Sequence, residues 1–306
     1  MRVTSNTYTN LVINSSQQSQ QQLALLQQQI SSGNSIQFAS DNPVVYEQAA
    51  HTQTNLAQLQ AFTAAAGQAT TITSENNTAI TSLHTLLSNA SELAATVNGT
   101  MTTAQMQSVA TQMSSLLNQL TSTVNQKSVN GTYLFGGTSD QPPIDTTTGN
   151  YNTATNAQTT SIEVQPGNNV QTGIVAGRTG VDGFLVDTAS GVDVLASLKQ
   201  TISDLQAGNA AAVNSTDSAA LSASLGHMSK YVGSTAASMA AVSLATQNLN
   251  SQSLAAGNQL NALTQTNLPN ATVQLQQIQN QYQASLEVGT RMMSLSILNY
   301  MSSIPT

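Results

Sequence analysis

Along both halves of this 306-residue chain, apolar residues recur at alternating spacings of three and four, the period of helices packed side by side. From about Ser5 to Ser32, Leu23, Leu26 and Ile30 share one stripe, and Gly33-Asn34 supplies a left-handed stop. Ser40-Asp41-Asn42-Pro43 then predicts a helix start, with Asp41 or Asn42 as the cap and Pro43 at the first helical position. That helix should run to about Val97, with Ile80, Leu83, Leu87, Ala90, Ala94 and Val97 forming a coiled-coil seam. After Asn98-Gly99 the pattern resumes at Met106, Val109, Met113, Leu116 and Leu120.

Between Asn130 and about Ser190 helical periodicity disappears, and Gly, Pro, Thr and Asn crowd in. Ser161–Gln165, Val170–Val175 and Phe184–Val186 read as short strands between turns such as Pro166-Gly167-Asn168. Helix returns at Val192–Leu205. Leu221, Leu225, Met228, Val232, Thr235, Met239, Val242, Thr246, Leu249, Ser253, Ala256, Leu260 and Leu263 then keep the four–three alternation without a slip. Pro269 interrupts it. The last helix places Leu275, Ile278, Tyr282, Leu286, Gly289, Met293 and Ile297 on one stripe of slightly longer period.

The predicted fold is mainly α: an elongated antiparallel helical bundle, or coiled-coil rod, formed by both chain ends, with a small β-rich inserted domain. The expected divisions are an amino-terminal helical half at 1–137, the insert at 138–190, and a carboxyl-terminal helical half at 191–306. The insert should project outward from the helices.

Composition changes this picture in one respect. Only 6% of residues are charged, against about 25% in an ordinary soluble domain. Gln, Asn, Ser and Thr replace them, so the helices are polar outside yet nearly uncharged. Such helices are weak alone, because hydroxyl and amide side chains compete for backbone hydrogen bonds and few i,i+4 ion pairs assist. Packing must hold them, and each end's stripe needs the other end or a neighbouring subunit to cover it. Interface cores exclude charge, so the depletion suits a polymer subunit; adaptation to an acidic or extreme exterior is the other explanation. Six basic residues and a net charge of −7 argue against nucleic acid and anionic membrane surfaces.

Candidate chemistry is sparse. There is no cysteine, hence no disulfide or thiolate metal site. His51, His84 and His227 each lack a second ligand at helical spacing, which favours surface or core roles. Gly173–Gly180 lacks the Gly-Lys-Ser/Thr ending of a phosphate loop and reads as a cluster of turns. Glu75, Glu92 and Glu287 are mutually isolated, reading as solvated or interfacial carboxylates, and Met106, Met113, Met228 and Met239 sit on seams as packing residues. No enzyme, cofactor or metal site is expected. Arg2 is the one basic residue before Ile30, and Gln17–Gln22 is polar where a signal peptide would be apolar, so export would need another route.

Met1-Arg2-Val3-Thr4, Leu25–Gly33 and Ala39-Ser40-Asp41-Asn42-Pro43 resemble the amino-terminal pattern of the flagellin family. Asn130-Gly131-Thr132-Tyr133-Leu134-Phe135-Gly136-Gly137 is similar to the segment closing the first helical half in the hook-associated protein 3 branch, and Met292–Tyr300 is similar to that branch's carboxyl terminus. The resemblance implies a secreted structural adaptor at the hook–filament junction of the bacterial flagellum, exported by the flagellar type III apparatus. It implies as partners hook-associated protein 1, flagellin, a ring of like subunits and an export chaperone. Flagellin itself is the alternative. On this reading the assembly contacts fall on Leu23, Leu26, Ile30, Asp41, Asn42, Pro43, Leu286, Met293 and Ile297.

Overall fold

The computed structural model describes residues 5–153 and 158–301, and the fold is mainly helical. In chain order it runs α1 (Ser5–Ser32), α2 (Pro43–Ala95), α3 (Thr103–Val124), β1 (Ser161–Gln165), β2 (Asn168–Gln171), β3 (Val186–Asp187), β4 (Val192–Asp193), α4 (Val194–Ala207), α5 (Ala210–Ala212), α6 (Ser218–Thr264) and α7 (Leu268–Met301). Two compact units result. One takes the chain up to Ala57 and from Ser253 onward; the other is Gln58–Gln252. No described helix is long and apolar enough to cross a membrane.

The seams predicted from spacing are the buried stripes. In α2, Ile80, Leu83, Leu87, Ala90 and Ala94 are buried, continuing through Val97; in α6, Leu221, Met228, Thr235, Val242, Leu249 and Ala256 are buried. Met239 is the seam residue of α6 left exposed. Within the second unit, His84 of α2 meets Ser229 of α6 at 3.1 Å. Local signals set the ends. Thr102 and Gln105 form a reciprocal capping box on α3. Asp193 caps α4, and Gly208, at φ 75°, closes it with a left-handed turn.

Between α5 and α6 the helix widens into a π turn over Val213–Asp217, a feature the sequence pattern did not suggest. Its extra residue per turn keeps Val213, Asp217 and Leu221, each four apart, on the inward face, where all three are buried.

The β pieces differ from expectation in extent. β1 pairs with β2 as an antiparallel hairpin, but β2 starts at Asn168 and ends at Gln171, and the third piece is the two-residue pair Val186–Asp187 with Val192–Asp193. More important, part of the predicted insert lies in the core of the second unit. Ile144, Ala176, Phe184, Leu185 and Val186 belong to one buried cluster with Leu83, Met113, Leu198 and Met228 of the helices. Phe184 is 0% exposed and packs edge-on against Phe135 with ring centroids 4.7 Å apart. The close approach of Gly177 to Gly183 makes this possible: a Cβ on either would strike the other's backbone.

Candidate assembly surface

In the first unit α1 and α7 pack along their length. The covered stripe of α1 is Val12, Ser16, Ser19, Leu23, Leu26 and Ile30, with Leu26 and Ser19 fully buried. Opposite lie Ala271, Leu275, Ile278, Tyr282, Ser285 and Gly289 of α7. Both stripes alternate four and three, so α7 keeps a heptad where a longer period was expected. The difference is one position: Ser285 is turned inward and Leu286 outward, 46% exposed. Size decides this. A Cβ on Gly289 would lie 3.1 Å from the Val12 side chain, so the helices are close enough that small residues must face each other. Two hydroxyls on the stripe bond backward to their own helix, Ser19 to the Ser15 carbonyl at 2.9 Å and Ser285 to that of Tyr282 at 2.8 Å. Gln20 donates to the Tyr282 hydroxyl across it at 2.7 Å. Met293 and Ile297, expected on the same stripe, have side chains outside the described residues.

Around Gly33 the chain ends α1 and is tied to the α6–α7 joint. Ser35 N–H donates to the Thr264 carbonyl at 2.7 Å and Thr266 N–H to that of Gly33 at 2.8 Å. In the loop that follows, Asp41 and Asn42 divide the work the sequence left open between them. The Asp41 carboxylate accepts from the Gln37 and Phe38 N–H groups at 3.0 Å each, and these bonds hold its pKa below the ordinary value. Asn42 is the cap, accepting from Val45 N–H at 3.2 Å, and Pro43 opens α2.

The outer faces of this unit carry large apolar side chains among their amides and hydroxyls. Leu11 (64% exposed), Ile13, Leu25, Val273, Leu286 and Val288 stand out from α1 and α7, and Phe38, Val44 (63%) and Tyr46 from the loop and the start of α2. Among the described residues, every large exposed apolar side chain except Val129, Met239 and Leu244 belongs to this unit. Leu25, Leu26 and Ile278 floor an open groove rimmed by glutamines. No Asp, Glu, Lys or Arg occurs from Val3 to Ser40, or from Tyr231 to Leu286. Such patches on a protein surface mark sites that something else covers.

Elsewhere the isolated polar residues act as anchors. His227 is buried; its Nε2 donates to the Gly183 carbonyl at 2.8 Å, and Nδ1 lies 3.5 Å from the Asp187 carboxylate. Bonds from Ser190, then Ala189, hold Asp187 below the ordinary carboxylate range, with His227 adding to the effect. Glu75, read from sequence as solvated or interfacial, accepts from the Ser128 hydroxyl at 2.7 Å and pins the hairpin before the insert. No group of three His, Asp or Glu among the described residues could hold a metal ion.

Residues 3–140 match the family described as bacterial flagellin N-terminal helical region. That stretch of the chain is similar to a flagellin amino-terminal region. No curated protein matches the sequence. Among solved structures, FlgL of Bacillus cereus aligns at 17% identity and TM-score 0.57, covering 69% of this chain and 99% of that one. The flagellar junction protein FlgL from Legionella pneumophila aligns at 13% identity and TM-score 0.56, covering 70% and 100%. The likeness is one of fold: helices from both chain ends packed together, with small two-stranded sheets between.

Proposed function

We propose that this protein is a structural adaptor of the bacterial flagellum, a hook–filament junction subunit joining a ring of hook-associated protein 1 to the flagellin filament. The observation that carries the reading is the first unit, which exposes Leu11, Val44 and Leu286 and draws most of its helices from the charge-free stretches Val3–Ser40 and Tyr231–Leu286. Burying such faces removes apolar area from water with little ionic desolvation, which is what a ring or tube of like subunits demands. The whole length of the solved junction protein matches this chain in fold. On this reading the partners are like subunits beside it, hook-associated protein 1 below and flagellin above, with a chaperone covering the carboxyl-terminal helix before passage through the flagellar type III apparatus. Residues 1–137 and 191–306 supply the assembly framework, and 138–190 brace it. Leu23, Leu26 and Ile30 act by fixing α1 on α7; Asp41, Asn42 and Pro43 act by shaping the exposed loop; Leu286 contacts a neighbour directly, as Met293 and Ile297 would further along the helix.

Deleting the gene and viewing the cells by electron microscopy tests this. Hooks without filaments, with flagellin monomer in the medium, are expected. Normal filaments would refute the adaptor role. Bare hooks with no flagellin released, and long filaments built of this chain on complementation, would make the protein flagellin itself.

A further inference from the structure

The tetrapeptide Val-Asn-Gly-Thr occurs twice, at Val97–Thr100 and at Val129–Thr132, and the fold gives its two copies opposite hydrogen bonding. The first lies in the exposed connection between α2 and α3. There the Asn98 side-chain oxygen accepts from Thr100 N–H at 3.0 Å and from the Thr100 hydroxyl at 2.6 Å. Gly99 N–H donates to no described residue, and a Cβ on Gly99 would meet nothing within 4 Å. The second copy forms a hairpin tip. There Gly131 N–H is bound to the Ser128 carbonyl at 2.9 Å with φ at 81°, and no described residue donates to the Asn130 side chain.

We propose that Asn98 is a self-modification site, converting to aspartate and isoaspartate through a cyclic imide faster than Asn130. Gly99 nitrogen loses its proton to solvent and attacks Cγ of Asn98. The N–Cγ bond forms, electron density moves onto the side-chain oxygen, and the amide leaves as ammonia after taking up a proton. Water then opens the imide. Attack at Cγ breaks the new bond and leaves aspartate; attack at the main-chain carbonyl breaks the original peptide bond and leaves isoaspartate. Two features set the two asparagines apart. The nucleophile at position 131 has its proton held by a carbonyl, whereas that at 99 is free to lose it. The oxyanion forming on Asn98 is met by two donors already in place, the arrangement that lowers acyl-transfer barriers. The product matters because the stretch from Leu93 to Gln126 carries no charge. Either product adds one, and isoaspartate also lengthens the backbone between buried Val97 and the α3 capping box.

The test is peptide mapping by mass spectrometry of the purified full chain aged in mildly alkaline buffer. In the folded protein Asn98 should deamidate several-fold faster than Asn130; in guanidinium chloride the two rates should converge, because the tetrapeptides are identical. Thr100→Val should slow Asn98 toward the Asn130 rate and leave Asn130 unchanged, and Thr100→Ser should restore it. Equal or faster reaction at Asn130 in the folded chain, an excess at Asn98 that survives denaturation, or indifference to Thr100→Val would each overturn the proposal.

Discussion

Single polar side chains hold the second unit together where its helices meet irregular chain. Asn125 brackets Ile144 from both sides, donating to its carbonyl at 2.7 Å and accepting its N–H at 2.9 Å. Asn76 donates to the Thr172 carbonyl at 2.6 Å. Tyr151 donates to Asp193, the α4 cap, at 2.7 Å, and burial with that carboxylate beside it pushes the phenol pKa up. None of these was legible in the sequence. Each partner is far along the chain or is a backbone atom, and neither leaves a periodic signal. The cap at Asn42 was legible because its partner is local; Asn42→Ala should cost about 1 kcal/mol, read from the urea midpoint. Asp217 behaves differently from the anchors. It is 3% exposed, one of its oxygens has no partner, and burial followed by the nearby Asp204 raises its pKa. A raised acid favours folding most below its ordinary pKa and loses that contribution as pH climbs through the raised value. Asp217→Asn should therefore raise the urea midpoint at neutral pH relative to wild type, with the difference closing toward about pH 4. A constant difference across the range would disprove the burial account.

At the scale of elements, spacing foretold the helices and their seams well, and size foretold what hydrophobicity missed. In α7 the larger apolar residue, Leu286, looked like the seam residue, yet Ser285 occupies it, because α1 approaches too closely for a leucine. The same logic makes Gly289 structural despite its cost of about 0.5–1 kcal/mol in a helix interior. Gly289→Leu should push α7 off Val12 and lower the helical circular dichroism of the purified monomer. Leu286→Ser should leave that signal intact and fail to restore filaments in the deletion strain. If the two variants exchanged phenotypes, the seam would run through position 286 after all. The π turn was invisible for a related reason: four-residue spacing over Val213–Leu221 reads equally well as the drift of an ordinary helix.

Across the whole molecule, the layout of helix, irregular middle and helix was legible, while the depth at which the middle is buried was not. Composition marked 138–190 as different, and difference was read as separation. Gly-rich turns instead let short apolar pieces reach inward: Phe184 and Leu185 end beside helical Leu83 and Met228 in one core, held there by the His227 bond to the Gly183 carbonyl. This distinguishes two kinds of damage. Phe184→Ala removes a ring packed on Phe135 and 6.3 Å from Tyr231, and should cost about 3–5 kcal/mol, seen as a large fall in the denaturant midpoint. Val44→Ser alters a side chain already facing solvent and should leave the midpoint nearly unchanged while weakening incorporation into the organelle. Replacing Thr138–Ser190 with a Gly/Ser linker should act as the first kind, because it strips the cluster of Ile144, Phe184, Leu185 and Val186 together. Hydrogen exchange would locate the loss: amides of α3 and α4, which line that cluster through Met113 and Leu198, should exchange faster than in wild type. Unchanged protection there would mean that the helices close over the gap by themselves, and that the middle segment decorates the fold without bracing it.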